Sequence, residues 1–375
     1  MTRRMVPVAV GLGVVAVLAA CDDPAQPAES SGAPPDAASA ALIHQFTIQD
    51  LGTFGGDEAG ALGINELSEV VGFAQLPSGE VRAFIWRAGQ GKQSLGTLGG
   101  GSSRGRAIND RSEVAGISEI SDGSVHAFLW TGDEGMRDLG TLGGGFSEAW
   151  AINNRQEVVG YSENANNQTR AFLWRPGHGM QGLGTLGGTE SLAFGINDAT
   201  EVVGSSGIAD GNSHAFLWTP AGGMEDLGTL GGPNSEASDI SENGAVVGSS
   251  ETAAGTQEAF LWTREGGMRS LGTLNRDPSS GAKAVNTHLE VAGSAGPLIP
   301  TLWTPKHDMW PLPTLGGGEG FPRHMNELGQ IAGFSVTTEG ALHAALWTPV
   351  RGPLAVRGAK KGSADMKAGR PGEAR

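Results

Sequence analysis

Short apolar runs recur along this chain at one spacing. Residues 171–174, Ala-Phe-Leu-Trp, put Phe and Trp on one face of a strand and Ala and Leu on the other. A strand with no polar face needs cover on both sides. The same run stands at 83–86 (with Ile85 for Leu), 127–130, 215–218 and 259–262, and in altered form at 300–303 and 344–347. Between these runs three other elements keep a constant order: Leu-Gly-Thr-Leu-Gly-Gly, Ile-Asn and Glu-Val-Val-Gly. The opening leucines, Leu51, Leu95, Leu139, Leu183, Leu227, Leu271 and Leu312, are 44 residues apart five times and 41 once. Strict self-similarity at this period marks a repeat architecture. In the third unit the pattern predicts strands over 139–144, 149–153, 157–160 and 171–174, separated by Gly, Asn and Ser turns. Four strands in 44 residues make one propeller blade. The expected fold is therefore all-β, a seven-bladed β-propeller over residues 45–355, with a β-solenoid as the alternative.

Composition refines this picture in few places. Glycine is 62 of 375 residues but has no every-third-residue period, which excludes collagen. Seven of the nine tryptophans close the Ala-Phe-Leu-Trp runs, where blade packing accounts for them. Trp218→Ala is accordingly expected to cost about 3–5 kcal/mol. Trp150 and Trp310 fall outside the common frame and are the candidate ligand-binding residues.

The ends differ from the middle. Arg3 and Arg4 precede an apolar stretch from Met5 to Ala20, too short for a membrane span and suited to a signal peptide over 1–20. Leu18-Ala19-Ala20-Cys21 resembles the lipobox of bacterial lipoproteins, in which the cysteine is acylated. Cys21 is the only cysteine and the expected lipidation site; acyl chains contribute about 0.8 kcal/mol per buried CH₂. Residues 21–44 then read as the lipidated Cys and a Pro/Ala/Ser-rich tether, and 356–375 as a basic disordered tail. The formal net charge of −15 disfavours nucleic acid as a partner.

Catalytic chemistry is not legible. The eight histidines include no His-Glu-x-x-His, and no phosphate loop occurs. His126, His214 and His343 stand where other units carry Arg82, Arg170 and Glu258, as strand-edge residues do. Six units keep an Asn (Asn65, Asn109, Asn153, Asn197, Asn286, Asn326), followed four residues later by Glu in five (Glu69, Glu113, Glu157, Glu201, Glu290). A calcium-binding ring and a turn-closing Asn with an exposed Glu both fit that spacing. One carboxylate per unit, where calcium takes about six to eight oxygens, favours the turn. No cofactor and no metal site is expected. The sixth unit is degenerate, with Asn275-Arg276-Asp277 in place of Gly-Gly and Lys306, His307, Asp308 and Trp310 close together.

Taken together, the Leu-Gly-Thr-Leu-Gly-Gly, Ile-Asn, Val-Val-Gly and Ala-Phe-Leu-Trp elements resemble the HAF repeat, a bacterial extracellular repeat family named for the His-Ala-Phe seen here at 126–128 and 214–216. The resemblance covers about 300 residues. It implies an exported protein and carries no activity over to any residue. The expectation is a lipid-anchored, monomeric binding or interaction module outside the cytoplasm, its partners the membrane through Cys21 and a protein or polysaccharide. An extracytoplasmic propeller enzyme, a hydrolase or lyase, and a structural envelope protein are the competing classes. An enzyme needs unlike polar groups converging from several units, and the variable loops, such as 162–169, are where the sequence offers them.

Overall fold

The computed structural model describes residues 46–350 except 275–278, 297 and 307. The expected signal peptide, Cys21, its tether, the basic tail and the Asn275-Arg276-Asp277 and His307 positions of the sixth unit lie outside the described residues. Among those described, every regular element is a strand. In the third unit Gly143–Ile152, Val158–Asn164, Thr169–Arg175 and Gly179–Gly182 pair antiparallel in chain order. The same four-strand order recurs along the chain. Antiparallel ladders within each sheet do not fit the parallel coils of a β-solenoid; they fit a β-propeller.

Strand positions within the repeat differ from the expected ones. Leu139, Gly140 and Thr141 do not open a strand but cross from one sheet to the next. Thr141 Oγ1 accepts the Gly143 N–H at 3.1 Å and donates to the Gly144 carbonyl at 2.9 Å, which closes the crossing as a turn. Gly143 and Gly144 join residues 149–152 of the expected strand in one ten-residue strand, Gly143–Ile152. The fourth strand is Gly-Met-Gln-Gly at Gly179–Gly182, a mostly exposed edge without alternation and so without a hydrophobic signal.

The final sheet is completed from the other end of the chain. Phe46–Gly52 pairs with Leu342–Pro349, setting Ile48 opposite Trp347. The first strands of the sheets, Ala59–Ile64, Gly99–Ile108, Gly143–Ile152, Gly187–Ile196, Gly231–Ile240, Ser280–Val285 and Gly316–Met325, touch one another in succession, and the last returns to the first. They form a closed ring around an axis.

The core lies between sheets. Phe172 and Trp174 pack against Ala127 and Leu129 of the preceding sheet, while Ala171 and Leu173 pack against Phe216 of the following one. None of the four is more than 3% exposed. The two-faced apolar strand read from the sequence is thus covered on both sides. Burying a Phe or Leu side chain contributes about 1.5–3 kcal/mol, and the contact recurs around the ring.

Each first strand contains one extra residue. Ala149 pairs with Gly160 and Ala151 with Val159, leaving Trp150 as a β-bulge. The same shift falls at Leu62, Arg106, Phe194, Ser238, Lys283 and Arg323. The bulge explains the glycine of Glu-Val-Val-Gly. A Cβ on Gly160 would stand 1.9 Å from the Glu148 carbonyl oxygen, and one on Gly204 equally close to that of Leu192. Only glycine leaves room for the bulged backbone.

Candidate functional site

A β-bulge re-aims one side chain. Here all seven bulge residues, Leu62, Arg106, Trp150, Phe194, Ser238, Lys283 and Arg323, line a single cavity of about 410 Å³ inside the ring of first strands. Trp150, a sequence candidate, is one of them. Trp310 is not: it lies partly buried in the outer strand Met309–Pro311, opposite Leu302, and its indole N–H finds no partner among the described residues. The two tryptophans are not brought together. Residues 162–169 also lie away from the cavity, forming the hairpin between Val158–Asn164 and Thr169–Arg175. Unlike groups converge from one repeated position whose identity changes from unit to unit, not from the variable loops.

The cavity wall is asymmetric. Trp150 and Phe194 meet edge to face, ring centres 5.0 Å apart. Arg106 stacks on Trp150 at 4.3 Å and donates from Nε to Glu148 Oε1 at 2.8 Å. Tyr161 Oη donates to the other Glu148 oxygen at 2.6 Å. Burial, with Glu148 beside it, pushes the Tyr161 hydroxyl well above the ordinary tyrosine range, so it stays protonated. Glu148 is thereby fully engaged.

Across from the aromatic pair stand Lys283 and Arg323. Burial pushes both below their ordinary pKa, and Arg106 adds repulsion at Arg323. Arg323 lies over the Phe334 ring at 4.9 Å, and its Nε has no partner among the described residues. Asp239 bridges two units, accepting from the Ile240 and Val285 N–H groups at 2.9 Å each; burial raises its pKa, opposed by nearby His324.

At one mouth the residues after the turn asparagines form a second ring. Glu66 N–H donates to Asp110 Oδ1 at 2.9 Å, Asp110 N–H to Asn154, Asn154 N–H to Asp198, and Glu327 N–H to Glu66 Oε1 at 2.8 Å. Its carboxylates are latches between neighbouring sheets. Burial first, then like charges, raises the pKa of Glu66; for Glu242 burial is again the main cause, with Asp198 and Glu327 adding to it. Among the described residues no group of three or more His, Cys, Asp or Glu side chains is placed to hold a metal ion.

The Asn–Glu spacing resolves in favour of the turn. Asn65 Oδ1 accepts the N–H groups of Leu67 and Glu69, while its Nδ2 donates to Glu69 at 2.8 Å and to the Asn109 carbonyl at 3.0 Å. The Glu is not exposed as expected: Glu69 and Glu157 are buried. Glu69 accepts from Ser112 of the next unit at 2.6 Å and from Arg87 at 2.5 Å. The repeated histidines also bridge strands: His126, His214 and His343 meet Asp138, Asp226 and Asp50 at 2.8 Å.

The bulge layer left one trace in the sequence. The glycine opposite it is the same in every unit, Gly72 to Gly333, while the bulge position holds six different residue types. A single variable column facing a constant glycine is the signal that sequence inspection missed.

No family model matches the chain, and no curated protein matches it. Solved structures do resemble it. A puromycin hydrolase mutant complexed with PGG shares 13% identity at a TM-score of 0.53, with 78% of this chain and 52% of that one covered. The β-propeller domain of the Trilobed protease from Pyrococcus furiosus shares 7% at 0.49, covering 77% and 95%, and TolB from Acinetobacter baumannii 10% at 0.46, covering 76% and 64%. The chain thus spans about half the length of the puromycin hydrolase chain and under two thirds of TolB. At such identities the likeness concerns fold alone.

Proposed function

We propose that this chain is a seven-bladed β-propeller, exported and held on a bacterial membrane by lipid on Cys21, that works as a binding module for a protein or polysaccharide partner. The observation that carries the binding role is the axial layer. Seven units keep the glycine that permits the bulge and vary the side chain the bulge presents. Packing alone accounts for the constant residue, whereas a shared recognition surface accounts for the varied ones. The lipobox-like segment and the resemblance to HAF repeats support export and anchoring.

An enzyme is the less favoured reading. Of the acids that line the cavity, Asp239 is already committed to two backbone N–H groups, and Glu148 behind the wall to Arg106 and Tyr161; fold does not bring a reaction with it.

Two measurements test the proposal. Thermal unfolding of the full chain in detergent, with peptides, polysaccharide fragments, divalent cations or EDTA added, will show a rise with one of the macromolecular classes, since a ligand bound only by the folded state raises the melting temperature. Absence of any shift would leave the structural envelope role in its place. Mass spectrometry will show acyl groups on Cys21, and the Cys21→Ala form will leave the membrane fraction; retention there would refute the anchor.

A further inference from the structure

The cavity's charges are not balanced where they stand. Glu148 is used by Arg106 and Tyr161, and Asp239 by two backbone N–H groups. Glu236 faces Lys283 but forms no ion pair with it among the described residues. Lys283 and Arg323 come from adjacent units, close enough to repel each other, and neither has a hydrogen-bonded or ionic partner among the described residues. Keeping two unpaired cations half-buried side by side is costly for a fold. Diagonally across the ring, Trp150 and Phe194 offer an apolar aromatic corner. One arc of the wall therefore carries two cations with no acceptor bonded to either among the described residues, and the facing arc offers a flat apolar surface to cover.

We propose that the axial cavity binds a small organic anion with a flat apolar ring, its carboxylate held by Lys283 and Arg323 and its ring against Trp150 and Phe194. A cavity of about 410 Å³ suits a small molecule. Arg323 supplies a planar fork of donors that matches a carboxylate, and Lys283 a point charge. The acidic ring at one mouth disfavours polyanions, which would have to pass or cover it; a compact monoanion meets that field once and then lies between two cations. This ligand class rests on the binding role proposed above.

Calorimetry of the full chain in detergent, corrected with a micelle blank, tests it with three shape-matched probes: 2-naphthoate, 2-naphthalenemethanol and 2-naphthylmethylamine. The expected order is naphthoate first, by about tenfold or more over the alcohol, with the amine weakest. Lys283→Met and Arg323→Met each weaken naphthoate by about tenfold while leaving the alcohol unchanged, and Trp150→Leu weakens both. Circular dichroism and thermal unfolding verify that the variants fold; Lys283→Met removes a half-buried charge and keeps the fold. Equal binding of alcohol or amine, indifference of naphthoate to both charge variants, or no naphthoate binding at millimolar concentration overturns the proposal. If naphthoate fails but a peptide or polysaccharide raises the melting temperature of wild type and Lys283→Met alike, the binding role stands and this ligand class falls.

Discussion

Asn326 Nδ2 donates to the carbonyl of Asn65, 3.0 Å away and 261 positions earlier in the chain. It is the last link of a relay in which Asn65, Asn109 and Asn153 each reach the turn of the next unit, and it joins the final turn to the first. Together with the Phe46–Gly52 strand and the His343–Asp50 bridge at 2.8 Å, it closes the ring.

Asn326→Ala is therefore expected to destabilise the fold by about 1–3 kcal/mol, the cost of leaving a buried carbonyl and turn N–H groups unpaired. Denaturant unfolding will measure it. Ser241, which replaces Asn in the fifth unit, makes no such reach; Ser241→Ala should cost distinctly less, and equal losses would show that the relay adds nothing beyond its local turns.

Tryptophans at one repeat position should not be equivalent. Trp347 is fully buried and its Nε1 donates to the Pro313 carbonyl at 2.7 Å, whereas Trp218 is partly exposed. Trp347→Ala is expected to cost about 3–5 kcal/mol, and Trp218→Ala less than that range, below the value expected from sequence alone. Paired melting curves will order them.

Removing Glu148 should cost more than removing any exposed acid. Glu148→Ala leaves Arg106 and Tyr161 facing each other without their shared acceptor, and breaking such a buried pair costs about 3–5 kcal/mol. A loss under 1 kcal/mol in denaturant unfolding would show that water replaces the carboxylate freely.

The acidic mouth gives stability a definite pH dependence. Glu66 and Glu242 have folded pKa values above their unfolded ones, chiefly through burial. The stability tied to their protonation is complete below the unfolded value near 4.5 and is lost as pH rises through the raised folded values. Between pH 7 and about pH 5 the melting temperature should therefore rise as pH falls, before carboxylates such as Glu69 turn the trend. For Glu69 burial works toward a higher pKa, but bonds from Ser112, Asn65 and Arg87 hold it low, so its contribution is lost only at more acid pH. Glu242→Gln should flatten the upper part of this curve.

Local pattern made most of the fold legible. Ala171 to Trp174 announced a strand covered on both sides, and the 44-residue spacing announced its repetition, because burial on a strand alternates with a fixed period and any window of one unit contains it. The edge strand Gly179–Gly182 was invisible for the converse reason: a mostly exposed edge has no face to encode. Asn65 and its equivalents were legible as turn residues, while the burial of Glu69 was not, since the groups that bury it, Ser112 and the next turn, belong to another unit.

What the sequence determined by itself is the content of each unit: its strands, its turns and the two apolar faces that oblige it to stack. What only the tertiary structure decided is the cavity. Trp150, Lys283 and Arg323 are far apart in sequence; only Trp150 stands out within its own unit, and nothing local joins it to the other two. A one-residue bulge turns each toward the axis, and closure of the ring brings side chains from every unit into one space. Convergence of that kind depends on where each unit ends up relative to the others, which no local period records.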